Sequence, residues 1–245
     1  MRELMRPEAG GILARVRSVP VGGAVIVAQE DVVVLEHDGA AVETLGPGRH
    51  ELTPEALPAA AQLAFGDVFD AEAWFIRTAP LFGVKVGGPA GELLDRVTNV
   101  YVRPRFSAEV AVRAADPARL VAALASGGLP DEDDSLLAFV RQQVLEAARR
   151  TLASVCAQGT ASLADVDAIV ALVAEQLPLN LADLDDLGLS VGAFSNIVVM
   201  LTPDDAAALA AARGAGAESR VRAIHCPRCG AAARGVYCTQ CGGPV

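Results

Sequence analysis

Phe106-Ser-Ala-Glu-Val-Ala-Val-Arg113-Ala-Ala-Asp116-Pro117 is the stretch of sequence that decides the fold class. From Phe106 onward every second side chain is apolar, which is the period of a half-buried β-strand. At Asp116-Pro117 the period changes, because aspartate is a good helix N-cap and proline fits the first helical position. The chain therefore passes from β-strands to α-helices at this point, which predicts an α+β fold.

Upstream of this stretch the sequence is typical of β structure. Asp38-Gly39 and Gly46-Pro47-Gly48 predict two turns, because glycine tolerates the positive φ that tight turns need and proline fixes φ. Short β-branched or alternating runs between the turn signals predict strands over residues 24–27, 32–35, 40–45, 49–52, 71–77, 82–86 and 97–103.

Downstream the apolar residues recur at helical spacing. A helix over residues 117–126 precedes a long helix that begins near Asp131 to Asp134, where negative charge favours a helix start. A shorter helix is predicted from Ser162, with Asp165 as its capping partner. Gly188 is expected to end the next helical turn before a strand over 189–201. The long helix carries one apolar stripe, formed by Leu137, Val140, Val144, Ala148, Leu152 and Val155.

The C-terminal part of the chain differs in charge from the rest. Residues 203–213 predict a short alanine-rich helix, and Gly214-Ala215-Gly216 predicts a hinge after it. From Arg213 onward five arginines stand against one glutamate, a local charge of +4 that leaves −14 for residues 1–212. An acidic body repels nucleic acid and anionic lipid, so only the tail is suited to attract them.

No apolar run is long enough to cross a bilayer, and the first residues have no apolar core of a signal peptide. We therefore expect a cytoplasmic protein, either free or peripheral to the inner face of the membrane.

Four cysteines near the C-terminus predict a structural zinc site: Cys226, Cys229, Cys238 and Cys241. Two residues between paired cysteines allow both thiolates of a tight turn to face one cation, and two such turns complete a tetrahedron. A disulfide pair is the competing interpretation, but thiols stay reduced in the cytosol. A thioredoxin-like redox pair would need a βαβ context, which the sequence lacks. Four thiolates leave no open position for water, so this zinc ion would be structural and would fold the ribbon with about 10 to 16 kcal/mol of binding energy.

Other candidate sites are weaker. His225 is interpreted as a flanking surface residue, and Cys156 as a small buried apolar residue rather than a nucleophile. The run from Asp131 to Asp134 is a weak candidate for a metal site. A solvated helix start explains these residues better.

Three further catalytic patterns fail on inspection. The glycine-rich residues 87–92 lack the Gly-Lys-Ser/Thr end of a phosphate loop and are predicted to form a loop. Ser195 does not lie in a nucleophile elbow. The chain has only three histidines, His37, His50 and His225, so the sequence gives little support for a catalytic triad. The sequence therefore predicts no enzyme.

In order, these motifs resemble those of the SPFH (stomatin, prohibitin, flotillin) or band 7 superfamily, and more narrowly its bacterial virion-core-protein-like branch with a C-terminal zinc ribbon. The resemblance covers nearly the whole chain. The motifs that carry it are the strand that leads to Asp38-Gly39 and residues 23–27, 45–50, 71–76, 112–117, 187–191 and 194–198.

The resemblance implies a strongly curved antiparallel sheet with packed helices. It divides the chain into an SPFH-like domain at 1–202, a short helix and flexible linker at 203–223, and a zinc ribbon at 224–245. Members of the superfamily self-assemble, organise membranes or recruit proteases, and have no active site of their own. The absence of a hydrophobic anchor and of a long coiled coil in this sequence departs from that pattern.

Three hypotheses for function follow. The first is a non-enzymatic oligomeric scaffold or adaptor whose zinc ribbon docks a partner protein; a variant of it associates peripherally with the membrane in a stress response. The second is a nucleic-acid-binding zinc ribbon with the acidic body as regulatory or oligomerisation domain, although Tyr237 alone is available in the tail for base stacking. The third is a hydrolase, for which no acid, base and nucleophile are visible together.

Overall fold

The computed structural model describes residues 3–7, 11–220, 224–225, 232–233 and 240. It has a mixed α+β architecture with several antiparallel sheets and five α-helices in these residues. The predicted α+β class is therefore confirmed.

Ten short strands make up the N-terminal part. They are β1 (Glu3–Met5), β2 (Leu13–Val16), β3 (Val19–Pro20), β4 (Gly23–Val27), β5 (Asp31–His37), β6 (Ala40–Leu45), β7 (Gly48–Leu52), β8 (Ala64–Phe65), β9 (Val68–Phe69) and β10 (Glu72–Arg77).

These strands form three small sheets. The orders are β1-β4-β7, β2-β10-β5-β6 and β3-β9-β8, and every pairing is antiparallel except β1 with β4. The predicted hairpin between β5 and β6 is confirmed: Asp38 and Gly39 both have positive φ, at 49° and 84°. Such a turn matches the right-handed twist of the strands.

The remaining strands of the body follow a different plan. They are β11 (Leu81–Pro89), β12 (Leu93–Asp95), β13 (Val100–Val102), β14 (Arg105–Ala114) and β15 (Leu189–Met200). β14 lies between β11 and β15 in an antiparallel sheet, and β12 pairs with β13. The predicted alternation on β14 is confirmed except at Ala111: Phe106, Ala108, Val110 and Val112 are buried as expected, but Ala111 on the opposite face is buried as well.

Two predictions about this region are wrong. Residues 97–99 belong to a turn between β12 and β13 and not to a strand, because Asp95 binds the N–H groups of Val97 and Thr98. Residues 87–89, predicted as a loop, belong to β11. There the absence of a side chain at Gly88 lets the strand approach Leu145, whose Cδ2 would lie 2.7 Å from an added Cβ.

The helices are α1 (Pro117–Ala125), α2 (Asp133–Gln158), α3 (Val166–Gln176), α4 (Ala182–Asp185) and α5 (Pro203–Arg220). Asp116 caps α1 as predicted, accepting from the N–H of Arg119, and the predicted apolar stripe of α2 is buried throughout. α3 begins four residues later than predicted, because Asp165 itself is the N-cap and Ser162 binds elsewhere.

α5 is longer than the sequence indicates. It continues through Gly214-Ala215-Gly216, so the hinge predicted there is wrong. A glycine in a helix costs only about 1 kcal/mol relative to alanine, and the surrounding alanines favour the helix.

Both faces of the sheet β2-β10-β5-β6 are covered, which explains its apolar runs. Trp74 and Ile76 of β10 face a core that includes α1 and α2, whereas Ala73 and Phe75 face a second core shared with β4 and β7. Alternate residues of one strand therefore join the β-rich and helical parts of the body. No helix in the described residues is long and apolar enough to cross a membrane.

Candidate functional site

The four predicted zinc ligands, Cys226, Cys229, Cys238 and Cys241, lie outside the described residues. Next to them, two short strands are described: β16 (Ile224–His225) and β17 (Ala232–Ala233), which pair antiparallel.

Among the described residues no group of three or more His, Cys, Asp or Glu side chains is arranged to hold a metal ion. The acidic run at the start of α2 is engaged in other contacts. Asp133 accepts hydrogen bonds from the N–H groups of Ile12 and Leu13, at 2.5 and 3.0 Å, and Asp131 forms a 2.8 Å ion pair with Arg15. The interpretation of the whole run as a solvated helix start is therefore wrong for Asp133, which ties α2 to β2 across the chain.

Cys156 is buried in the helical core, as predicted. Burial and the nearby Asp95 carboxylate raise the pKa of its thiol to about 11. Because the thiolate is the nucleophilic form, this cysteine is unreactive at neutral pH.

A buried carboxylate that sequence reasoning missed lies beside it. Asp95 is 1% exposed, and its oxygens accept four hydrogen bonds, from the Ser162 hydroxyl and from the backbone N–H groups of Val97, Thr98 and Leu163. Burial would raise the pKa of Asp95, but these hydrogen bonds together hold the pKa below its usual value. Four donors therefore satisfy the carboxylate, which is the pattern of a structural group.

His37, His50 and Ser195 lie on three different strands, which belong to three different sheets. His50 lies on β7 with Nε2 2.7 Å from the carbonyl oxygen of Gly46. Ser195 lies on β15 opposite Glu109. His37 ends β5, with its ring nitrogens 3.4 Å from Asp38 and 3.9 Å from Asp70.

His37 opens onto the cavity that we call the acidic cleft. This open cavity of about 940 Å³ lies between the N-terminal strands and residues 124–131, which end α1 and lead to α2. Its charged lining consists of Arg15, Arg17, His37, Glu36, Asp38, Asp70, Glu72 and Asp131. No sequence motif pointed to it, since its residues come from four separate segments of the chain, 15–18, 36–38, 65–74 and 124–131.

No protein-family model matches the chain, and no curated protein matches it.

Proposed function

We propose that the protein is a non-enzymatic oligomeric scaffold or adaptor of the SPFH type. Residues 1–202 form the assembling body. Cys226, Cys229, Cys238 and Cys241 bind a structural zinc ion, and the resulting ribbon docks a partner protein. The protein works in the cytoplasm, and contact with the inner face of the membrane is made through a partner, because a body of charge −14 is repelled by anionic lipid.

The observation that supports assembly is the sheet β11-β14-β15. Neither β11 nor β15 pairs with a further strand among the described residues, and these edge strands are nine and twelve residues long. Long unpaired edges are templates for pairing with another chain. Near the end of β15, Val198 and Met200 are 41% and 45% exposed and lie on the same face. An edge of this kind suits self-association.

The middle of β15 is less suited to pairing. The β14–β15 register shifts twice, and Ala193 and Asn196 have positive φ. Such bulges bend a strand and disturb its ladder, which confines a pairing surface to the regular end over residues 197–200. The same bulges support the curved sheet that the SPFH assignment requires.

Light scattering on size-exclusion fractions tests the assembly. We expect the full chain to be a multimer, and the variant Val198→Lys/Met200→Lys to be smaller, because like charges on the edge oppose pairing. Leu179→Lys is the control, since Leu179 is 77% exposed outside this sheet. A full chain that stays monomeric at high concentration contradicts the proposal.

Metal content and partner capture test the ribbon. We expect one zinc ion per chain, lost in Cys238→Ser/Cys241→Ser and retained in Cys156→Ala, which removes the buried cysteine. Capture with the wild type and with the zinc-free variant should recover different partners. If both recover the same ones, the docking role is wrong, and salt-sensitive binding of a mixed oligonucleotide would favour the nucleic-acid hypothesis instead.

A further inference from the structure

The acidic cleft has the size and the openness of a binding site. Its volume of about 940 Å³ lies in the range of roughly 300 to 1,000 Å³ that ligand sites occupy. One wall comes from β2, β5 and β10 and from the β8–β9 hairpin, and the other from residues 124–131. The two walls belong to different parts of the body, so the cleft keeps its shape only while these parts stay packed.

The floor of the cleft is a fixed network. The guanidinium of Arg15 lies 4.9 Å above the ring of Trp74, 2.8 Å from Asp131 and 3.5 Å from Glu72. Glu36 is also occupied, since it accepts a 2.6 Å hydrogen bond from the N–H of Gly39. Because these groups already contact one another, a ligand would bind to the other charged groups that line the cleft.

Two carboxylates remain open at one end. Asp38 and Asp70 lie on either side of His37, and their side chains are 91% and 79% exposed. Apart from His37, the charged lining consists of two arginines and five carboxylates. The cleft therefore favours a cationic ligand and repels phosphate or nucleic acid.

The cleft also presents an exposed aromatic ring. Phe65 also lines the cleft and is 82% exposed, because it lies at the turn of the β8–β9 hairpin, where Gly66 has a φ of 64°. A planar guanidinium can stack on such a ring while it pairs with a carboxylate through two parallel hydrogen bonds. An ammonium group lacks this geometry.

Trp74 supports the floor and does not contact a ligand. It is 1% exposed, the Arg15 guanidinium lies over its ring, and its indole N–H is buried out of reach of the cleft. The exposed carboxylates and the exposed ring together fit an arginine-bearing peptide better than a free metal ion or a polyamine.

We propose that the acidic cleft binds an arginine-bearing peptide segment of a partner protein, with Asp38 and Asp70 pairing with its guanidinium groups and Phe65 stacking on one of them. The residues that line the cleft all lie between Arg15 and Asp131, whereas the predicted zinc ligands lie at 226–241. A scaffold with both would hold two partners, but binding at the cleft does not depend on that role.

Fluorescence anisotropy with the full chain and a labelled Gly-Arg-Gly-Arg-Gly peptide tests the proposal. We expect Asp38→Asn/Asp70→Asn to weaken binding about tenfold, since each removed charge ends a charge-assisted contact. The charge-matched control is Glu55→Gln/Asp183→Asn, two exposed carboxylates outside the cleft, which should change binding less than twofold. Equal losses in both double variants would show attraction to the whole acidic body and overturn the proposal.

Two further arms test the recognition of arginine. Phe65→Ala should weaken binding about threefold, whereas Phe82→Ala, which removes a ring 71% exposed outside the cleft, should not. A lysine version of the peptide should bind several times more weakly; equal binding of both peptides overturns the assignment. If the peptide binds only when Arg220 and Arg222 are replaced by glutamine, the tail of the chain fills the cleft and an external partner is excluded.

Discussion

Ser162 donates a 2.6 Å hydrogen bond from its hydroxyl to Oδ2 of Asp95, although the two residues are 67 positions apart in the sequence. Both side chains are buried. The bond joins the end of β12 to the segment that leads into α3. The Ser162 hydroxyl is therefore used in a long-range hydrogen bond and does not cap a helix, which explains why α3 does not start at Ser162.

We expect Asp95→Asn to lower the free energy of unfolding by about 2 kcal/mol, because the amide places a donor where the carboxylate accepts four hydrogen bonds. Ser162→Ala should cost about 1 kcal/mol, since it removes only one of these bonds. Urea unfolding at neutral pH measures both. A smaller loss for Asp95→Asn than for Ser162→Ala would contradict the assignment of Asp95 as the centre of the network.

The same pair predicts a pH dependence. The folded-state pKa of Asp95 is lowered from 3.8, so the charged carboxylate stabilises the fold above that value, and this stability is lost as the pH falls through the lowered pKa. The difference in unfolding free energy between wild type and Asp95→Asn should therefore be constant from about pH 7 to pH 5 and shrink below about pH 4. A difference that stays constant down to pH 2 would show that the charge is irrelevant.

Sequence reasoning found what local patterns determine. The hairpin at Asp38-Gly39 and the N-cap at Asp116 follow from the conformations that these residues favour on their own. Ser162 was misplaced because its partner is set by the fold, and no local signal marks it. The acidic cleft was missed for the same reason, since it exists only after α1 has packed on β5. The zinc ligands, which have a purely local signature, remain a prediction.

The close approach of Gly11 to Asp133 predicts a coupled pair of substitutions. A Cβ added at Gly11 would overlap the Asp133 carboxylate, so we expect Gly11→Ala to cost about 2 kcal/mol. Asp133→Ala should cost a similar amount, because the N–H groups of Ile12 and Leu13 lose their acceptor.

In the double variant the overlap no longer exists. Its loss of unfolding free energy should therefore be about 1 to 2 kcal/mol smaller than the sum of the two single losses. A double-mutant cycle from urea unfolding measures this coupling. Strict additivity would mean that Gly11 is needed for a reason other than the space that Asp133 occupies.

The five cysteines predict a stepwise thiol titration. With zinc removed by a chelator, four thiols of the native chain should react with a disulfide reagent at pH 8, and Cys156 should react only after unfolding. Its pKa of about 11 leaves roughly one thiol in a thousand ionised at that pH, and burial blocks access. Cys156→Ala should abolish the slow phase alone. Five fast thiols before unfolding would contradict the burial of Cys156.

Gly188 and Gly22 have almost the same backbone conformation, with φ of 77° and 76°, but different surroundings. An added Cβ at Gly22 meets nothing within 4 Å, whereas at Gly188 it would overlap the carbonyl oxygen of Asp116 and lie 2.7 Å from the N of Leu120. Gly22→Ala should therefore cost only the strain of positive φ, about 1 kcal/mol. Gly188→Ala should cost about 3 kcal/mol or more, because the first turn of α1 cannot yield without losing the bonds from Ala115 and Asp116 to the Gly188 carbonyl. Thermal and urea unfolding of the two variants separate strain from overlap, and equal costs would mean that α1 shifts freely against the start of β15.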